Sequence, residues 1–207
     1  ATKDYTIESG NKATNVADTV LKIKGTGNYT GEASTTWKLL QKSINNAILA
    51  SVDSQPYTGS AITPKPVVTD GSALAENTDF TYSYESHTYV GTATVKITGI
   101  GNYTGEKSTT FAITAVNQNP VITDTVTVTK GGNTVDLKSL VTNAEGVVSF
   151  EITGNSNGCS ISDGVLTSGA NTGIVKITVN IAAKDVNSDG KNEYNDYTRS
   201  DAITVTV

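Results

Sequence analysis

Leu21 and Ile23 stand among Val20, Lys22 and Lys24, and Val95 and Ile97 stand in the same way among Thr94, Lys96 and Thr98. Apolar residues at every second position mark a strand with one covered face. The habit returns in Phe80, Tyr82 and Tyr84, in Val148, Phe150 and Ile152, and in Val175, Ile177, Val179 and Ile181. The chain then closes on the alternating run AITVTV. Amphipathic runs of helical length are scarce. Thr occurs 34 times and Met not at all, and the branched Cβ of Thr suits a pleated strand better than a helix. The pattern predicts an all-β chain.

Between the two matching strands and their successors lies one hexamer, GNYTGE, at residues 27–32 and again at 101–106. The likeness extends without a gap over residues 16–40 and 90–114, where 13 of 25 positions are identical. Replacements keep character: Trp37 for Phe111, Leu39 for Ile113, Leu21 for Val95. Farther back, DYTIE at 4–8 matches DFTYS at 79–83 after an adjustment of one residue. The hexamer therefore reads as the hairpin loop of a duplicated β module, with Gly and Asn taking positive φ. Asn28 and Asn102 begin N-x-T sequons, but the turn accounts for them without glycan chemistry.

The complete copy, 46–115, carries in order Tyr57-Thr58-Gly59, Asp70-Gly71, Asp79-Phe80, Val90-Gly91-Thr92 and Gly101-Asn102-Tyr103-Thr104-Gly105. It resembles the Ig-like repeats found in tandem in bacterial cell-surface and secreted proteins. The resemblance implies small antiparallel β-sandwiches arranged as an elongated rod. They would act as a non-catalytic spacer or adhesive segment whose partner is a protein or glycan at the cell surface. Residues 1–41 correspond to the closing part of such a module only; nothing in them matches 46–77. The expectation is a piece of a longer tandem array, with a half-module completed by its neighbour or by another copy of the chain as the alternative.

Asn119-Pro120 breaks the register, and residues 118–207 form a third unit, opened by ITDTVTVTKGGNTVDL. It resembles a second type of bacterial Ig-like domain. Its last connection, AKDVNSDGKNEYNDYTRSD, is about twice as long as its counterpart in the complete copy, and long loops in compact domains are functional or disordered. Asp185, Asn187, Asp189, Gly190, Lys191, Glu193 and Asp196 fall at positions 1, 3, 5, 6, 7, 9 and 12 of an EF-hand or dockerin-type calcium loop. Side chains at 1, 3 and 5 converge on a hard cation, Gly at 6 permits the sharp turn, the Lys191 carbonyl points inward, and position 12 closes the shell. Two departures stand out: Asn192 occupies a place usually aliphatic, and strands rather than helices flank the loop. The unit carries ten acids and six bases, and the acids cluster in this loop, which favours a cation. Ca²⁺ is the one cofactor the sequence points to.

Other chemistry finds little support. Net charge is −5 with no basic stripe, so nucleic acid is not an expected partner. No apolar run approaches the roughly 20 residues that cross a membrane as a helix. Cys159 excludes an internal disulfide and has no activating base beside it in sequence. His87 lacks a second His or Cys for a metal site, and no serine sits in a nucleophile elbow. No catalytic residues are expected, and a secreted or surface location is. The competing reading is a carbohydrate-binding module of a secreted glycoside hydrolase, with Phe80, Tyr82 and Tyr84 as a stacking platform. Ile7 stands in the place of Tyr82 in the earlier copy, and an aliphatic residue does not stack as a platform needs; a core role fits that face better.

Overall fold

The computed structural model describes residues 4–207. The chain is all-β; the helices among these residues are two 3₁₀ turns, Ile44–Asn46 and Lys138–Leu140. None is long and apolar enough to cross a membrane. The residues fall into two compact units. One holds the chain up to Asp53 with Ile62–His87 and Thr92–Phe111; the other holds Ser54–Ala61, Thr88–Gly91 and Ala112–Val207.

In the first unit, β1 (Tyr5–Ser9), β2 (Asp18–Gly25) and β3 (Glu32–Lys38) form an antiparallel three-stranded sheet. Next come β4 (Lys42–Ser43), the 3₁₀ turn and β5 (Ile48–Leu49). Residues 42–46 are thus structured, and Ile44 is fully buried. The reason is composition: Ile44 and Ala47 supply apolar surface to a cluster with Val68, Phe80 and Ile97. After β6 (Gln55–Pro56), which belongs to the second unit, come β7 (Val68–Asp70) and β8 (Ser72–Ala73). A small sheet β5-β7-β8 then covers β9 (Phe80–Glu85) and β10 (Gly91–Gly99) across that cluster. Strand β11 (Tyr103–Thr104) pairs in parallel with β4, and β12 (Glu106–Thr114) lies beside β10.

The two hexamers make the same turn. Gly25 N–H donates to Gly31 O at 2.9 Å, and Gly99 N–H donates to Gly105 O at 2.9 Å. Positive φ falls on Gly27 and Gly31 in one copy and on Gly101 and Gly105 in the other. Asn28 and Asn102, expected to share that role, do not adopt it. Asn102 is used through its side chain instead: Oδ1 accepts the Val16 N–H at 2.8 Å, and Nδ2 donates to Thr14 O and Asn15 Oδ1.

In the second unit, β6 runs parallel to the end of β12. Strand β13 (Val121–Ile122) pairs with β16 (Val141–Thr142). A four-stranded sheet has β14 (Thr125–Thr127) parallel to β21 (Tyr197–Thr206), followed by β20 (Ile174–Ile181) and β17 (Val148–Thr153). The opposing sheet is β15 (Thr134–Asp136), β19 (Val165–Thr167) and β18 (Ser160–Ser162). Their inward residues, among them Val175, Ile177, Val179, Ile203 and Leu166, are fully buried in one cluster. Those are the residues the alternation places on the covered face of a strand. The result is a β-sandwich, with residues 182–196 looping out between β20 and β21.

Candidate functional site: the Asp185–Glu193 loop

The loop's two stems are tied before any loop residue contributes. Lys184 N–H donates to Tyr194 O at 3.1 Å, and Glu193 N–H donates to Lys184 O at 2.9 Å. Val116 joins from outside, giving its N–H to Glu193 O and accepting the Asn195 N–H, both at 2.9 Å. Buried Gln118 completes the clamp. Its Nε2 donates to Ala182 O (2.9 Å) and Asn195 O (2.8 Å), and its Oε1 accepts the N–H groups of Glu145 and Gly146. All four bonding positions of one amide are filled, which is what allows such a group to be buried. Sequence reasoning missed Gln118; nothing local distinguishes it from a surface glutamine.

Within the clamp, Asp185, Asp189 and Glu193 each bring a carboxylate oxygen within 4.8 Å of the others. Asp185 organises the bend: Oδ1 accepts Ser188 N–H at 2.6 Å and Oδ2 accepts Gly190 N–H at 2.7 Å. Gly190 has φ +86°, as the sharp turn at that position requires. Ser188 also lies in the left-handed region, at φ +61°, a conformation that non-glycine residues seldom adopt. Asp189 Oδ1 accepts the Lys191 N–H at 2.9 Å. That bond holds the Asp189 carboxyl below its ordinary value, against a smaller opposing effect of burial; the Asn187 side chain and Lys191 add to the lowering. The Lys191 ammonium is 3.6 Å from Asp189 Oδ2.

Glu193 is 0% exposed. Its Oε2 accepts Val186 N–H at 2.7 Å and its Oε1 accepts Val90 N–H at 3.3 Å. Neighbouring Tyr194 meets Tyr57 edge to face, with ring centroids 5.7 Å apart. Asn187 Oδ1 is buried with no hydrogen-bond partner, an acceptor left unsatisfied beside the carboxylates. Of the six residues expected around a cation, then, Asp185, Asp189 and Glu193 converge and Asn187 contributes an unsatisfied oxygen. Lys191 lies beside Asp189. Asp196 stands apart, its Oδ1 accepting the Ala183 N–H at 2.8 Å on the stem. A set of carboxylate and amide oxygens suits a hard cation such as Ca²⁺ rather than a soft one.

The remaining chemistry-bearing side chains are dispersed. Cys159 is buried in the second unit's core. His87 packs its ring on Tyr84, centroids 5.6 Å apart. Tyr82 and Tyr84 are stacked on each other at 6.2 Å and half-buried, their hydroxyls given to the carbonyls of Pro66 and Pro64. That face is covered by its own chain.

No family model matches the chain, and no curated protein matches it. Among solved structures it is similar to a protocadherin gammaB7 EC3-6 cis-dimer structure, at 15% identity and a TM-score of 0.31. The match covers 99% of this chain and 66% of that one.

Proposed function

We propose that the chain is a non-catalytic spacer and adhesive segment of a bacterial cell-surface or secreted protein, built from Ig-like repeats at 1–41, 46–115 and 118–207. The observation that carries this reading is the duplicated module itself. Two copies share a hairpin, a bond pattern and a strand register, and the third unit repeats the sandwich plan with other residues. Duplicated β modules extend or present a surface; they do not by duplication assemble a nucleophile and a base.

In this reading the Asp185–Glu193 loop holds one Ca²⁺. Asp185, Asn187, Asp189 and Glu193 supply side-chain oxygens and Lys191 its carbonyl, with Asp196 closing the shell if its bond to Ala183 is exchanged. The orphaned Asn187 oxygen and the buried Glu193 carboxylate support it. The cation would fix the loop that joins the last two strands and leave the core unchanged.

The test has two arms. Calorimetric titration with calcium, against Asp189→Ala, reads the site. Beads bearing the chain, compared with bare beads on mucin- and cell-coated surfaces, read adhesion. Retention no better than that of bare beads, together with turnover of a glycan or ester, would overturn the reading.

A further inference from the structure

In the second copy of the module the inner face of β9 and β10 is sealed: Phe80 and Ile97 are 2% and 0% exposed beneath Ile44, Ala47 and Val68. The first copy builds the same face and leaves it open. Tyr5, in the place of Phe80, is 46% exposed, and Ile7, in the place of Tyr82, is 47% exposed. Tyr5, Ile23, Tyr29 and Ala33 line a hollow of about 350 Å³. Among the described residues no strand plays over β1–β3 the part that β5, β7 and β8 play in the second copy.

We propose that this open face docks the opening half of a module of the same kind: an extended segment with the chemistry of Ile44–Asp70. The interface is already established once in this chain, and the register carries it over. Tyr5↔Gly25, Thr6↔Lys24 and Ile7↔Ile23 reproduce Phe80↔Gly99, Thr81↔Thr98 and Tyr82↔Ile97. A side chain occupying the place of Val68 therefore meets Ile23 as Val68 meets Ile97.

Polar contacts refine the occupant. Tyr103 gives its hydroxyl to Asp70 Oδ2 at 3.2 Å, while its counterpart Tyr29 is 61% exposed. An acid two residues after the aliphatic anchor satisfies Tyr29 in the same way. Conversely, Lys107 donates to the carbonyls of Asn45 and Ala47, and Tyr82 to that of Pro66. Ala33 and Ile7 replace that lysine and tyrosine, so this face is drier than the one it copies. Its affinity rests on apolar burial and backbone pairing, with the Tyr29–acid bond fixing register.

The probe is a fluorescent peptide of residues 42–74 added to the whole chain, followed by anisotropy, with backbone amide shifts mapping the contact. The expected result is saturable binding with shifts at Ile7, Ile23, Tyr29 and Ala33. Tyr29→Phe in the chain and Asp70→Asn in the peptide should each weaken binding several-fold, and the pair together no more than either alone. Tyr29 is exposed, so its variant keeps the fold. Ile23→Asp, checked for retained β spectrum, should abolish binding. Absence of binding at millimolar peptide would overturn the proposal. So would shifts at Phe80 and Ile97, which mean displacement of the second copy's own cover. Concentration-dependent dimerisation without peptide would overturn the stated occupant in favour of a second copy.

Discussion

Ile7 lies opposite Ile23 in the register that sets Tyr82 opposite Ile97, and one residue later the two ladders part. Ser9 faces Lys22 as Ser83 faces Lys96, so Glu8 is an extra residue bulged out of β1. The one-residue adjustment needed to align the sequences is this bulge, which bends an edge strand without disturbing the pairs before it. Identical hexamers on either side of such an offset need not have identical surroundings, and the energetic consequences differ between copies.

Gly27 and Gly101 occupy the same turn at φ +68° and +61°. A Cβ on Gly27 would meet nothing within 4 Å, whereas on Gly101 it would lie 2.7 Å from Thr78 O. Gly27→Ala should therefore lose only the left-handed backbone term, about 1 kcal/mol. Gly101→Ala should lose more, because a backbone carbonyl has to move. Denaturant unfolding of both variants gives the comparison; equal losses would show that Thr78 yields freely.

Asn102 and Asn28 divide in the same way. Asn102 bonds Val16, Thr14 and Asn15, while Asn28 is exposed. Asn102→Ala should destabilise by about 1 kcal/mol, and Asn28→Ala by a few tenths at most. In a glycosylating host the Asn28 sequon should be modified in preference to Asn102, whose Nδ2 is engaged. Intact-mass and peptide mapping read the occupancy, and equal modification would mean that the Asn102 contacts open readily.

The legibility of the sequence followed burial. Strand alternation marked Val95, Ile97, Val175, Ile177 and Val179, because each faces a core and a period of two has a direct physical cause. The hexamer was recognisable because a turn needs Gly at fixed places. Gln118 and Ser188 were not, since a clamp formed by a lone amide and a left-handed serine leave no periodic trace. Spacing singles out Asp185, Asp189 and Glu193, whose carboxylate oxygens lie within 4.8 Å of one another, but stem pairing fixes where Asp196 points, and spacing carries no record of that. Buried Ile44 is equally unmarked, because one isoleucine among polar residues has no period.

Lys42, Asp70 and Tyr103 tie β4, β7 and β11 together. The Lys42 ammonium, then the Tyr103 hydroxyl, hold the Asp70 carboxyl below its ordinary 3.8, and hydrogen bonding to Asp70 raises Lys42 above 10.5; burial opposes both. A depressed acid stabilises fully above its unfolded value and loses that stabilisation as pH falls through the folded one. A raised base stabilises fully below its unfolded value and loses it as pH rises through the folded one. The first unit should thus hold a plateau between about pH 5 and 10 and weaken at both ends. Asp70→Asn should flatten both limbs in thermal melts taken across pH; unchanged limbs would assign them to other groups.

Gln118 holds Ala182, Asn195, Glu145 and Gly146 from a buried position. Gln118→Leu keeps the volume but orphans two carbonyls and two N–H groups, at a cost of about 2–4 kcal/mol where water does not reach them. The loop should loosen before the sandwich does. Amide exchange at Glu193, Tyr194 and Asn195 should accelerate in the variant while Ile177 and Val179 stay protected. Uniform acceleration would mean that the clamp belongs to the global core.

If the loop takes calcium, the stabilisation follows from mass action. Extracellular-type sites have Kd of about 10⁻⁴ to 10⁻³ M, and at ten times Kd a single site adds about 1.4 kcal/mol. For a unit of this size that raises the melting midpoint by about 3–8 °C. Asp189 is the informative variant. It lies on the exposed side of the cluster, with its carboxylate shared between the Lys191 N–H and ammonium, so Asp189→Ala should leave stability in chelator nearly unchanged. In calcium the variant should lose the whole increment, and its midpoint should be the same with and without the ion. Glu193 answers a different question, because its buried carboxylate accepts from Val90 and Val186 and its removal destabilises the loop whether or not a cation binds. A calcium increment that survives Asp189→Ala would place the ion elsewhere. No increment in the parent chain, with no heat of binding, would leave Asp185 as a backbone-capping residue and the Lys191–Asp189 pair as the loop's own charge balance.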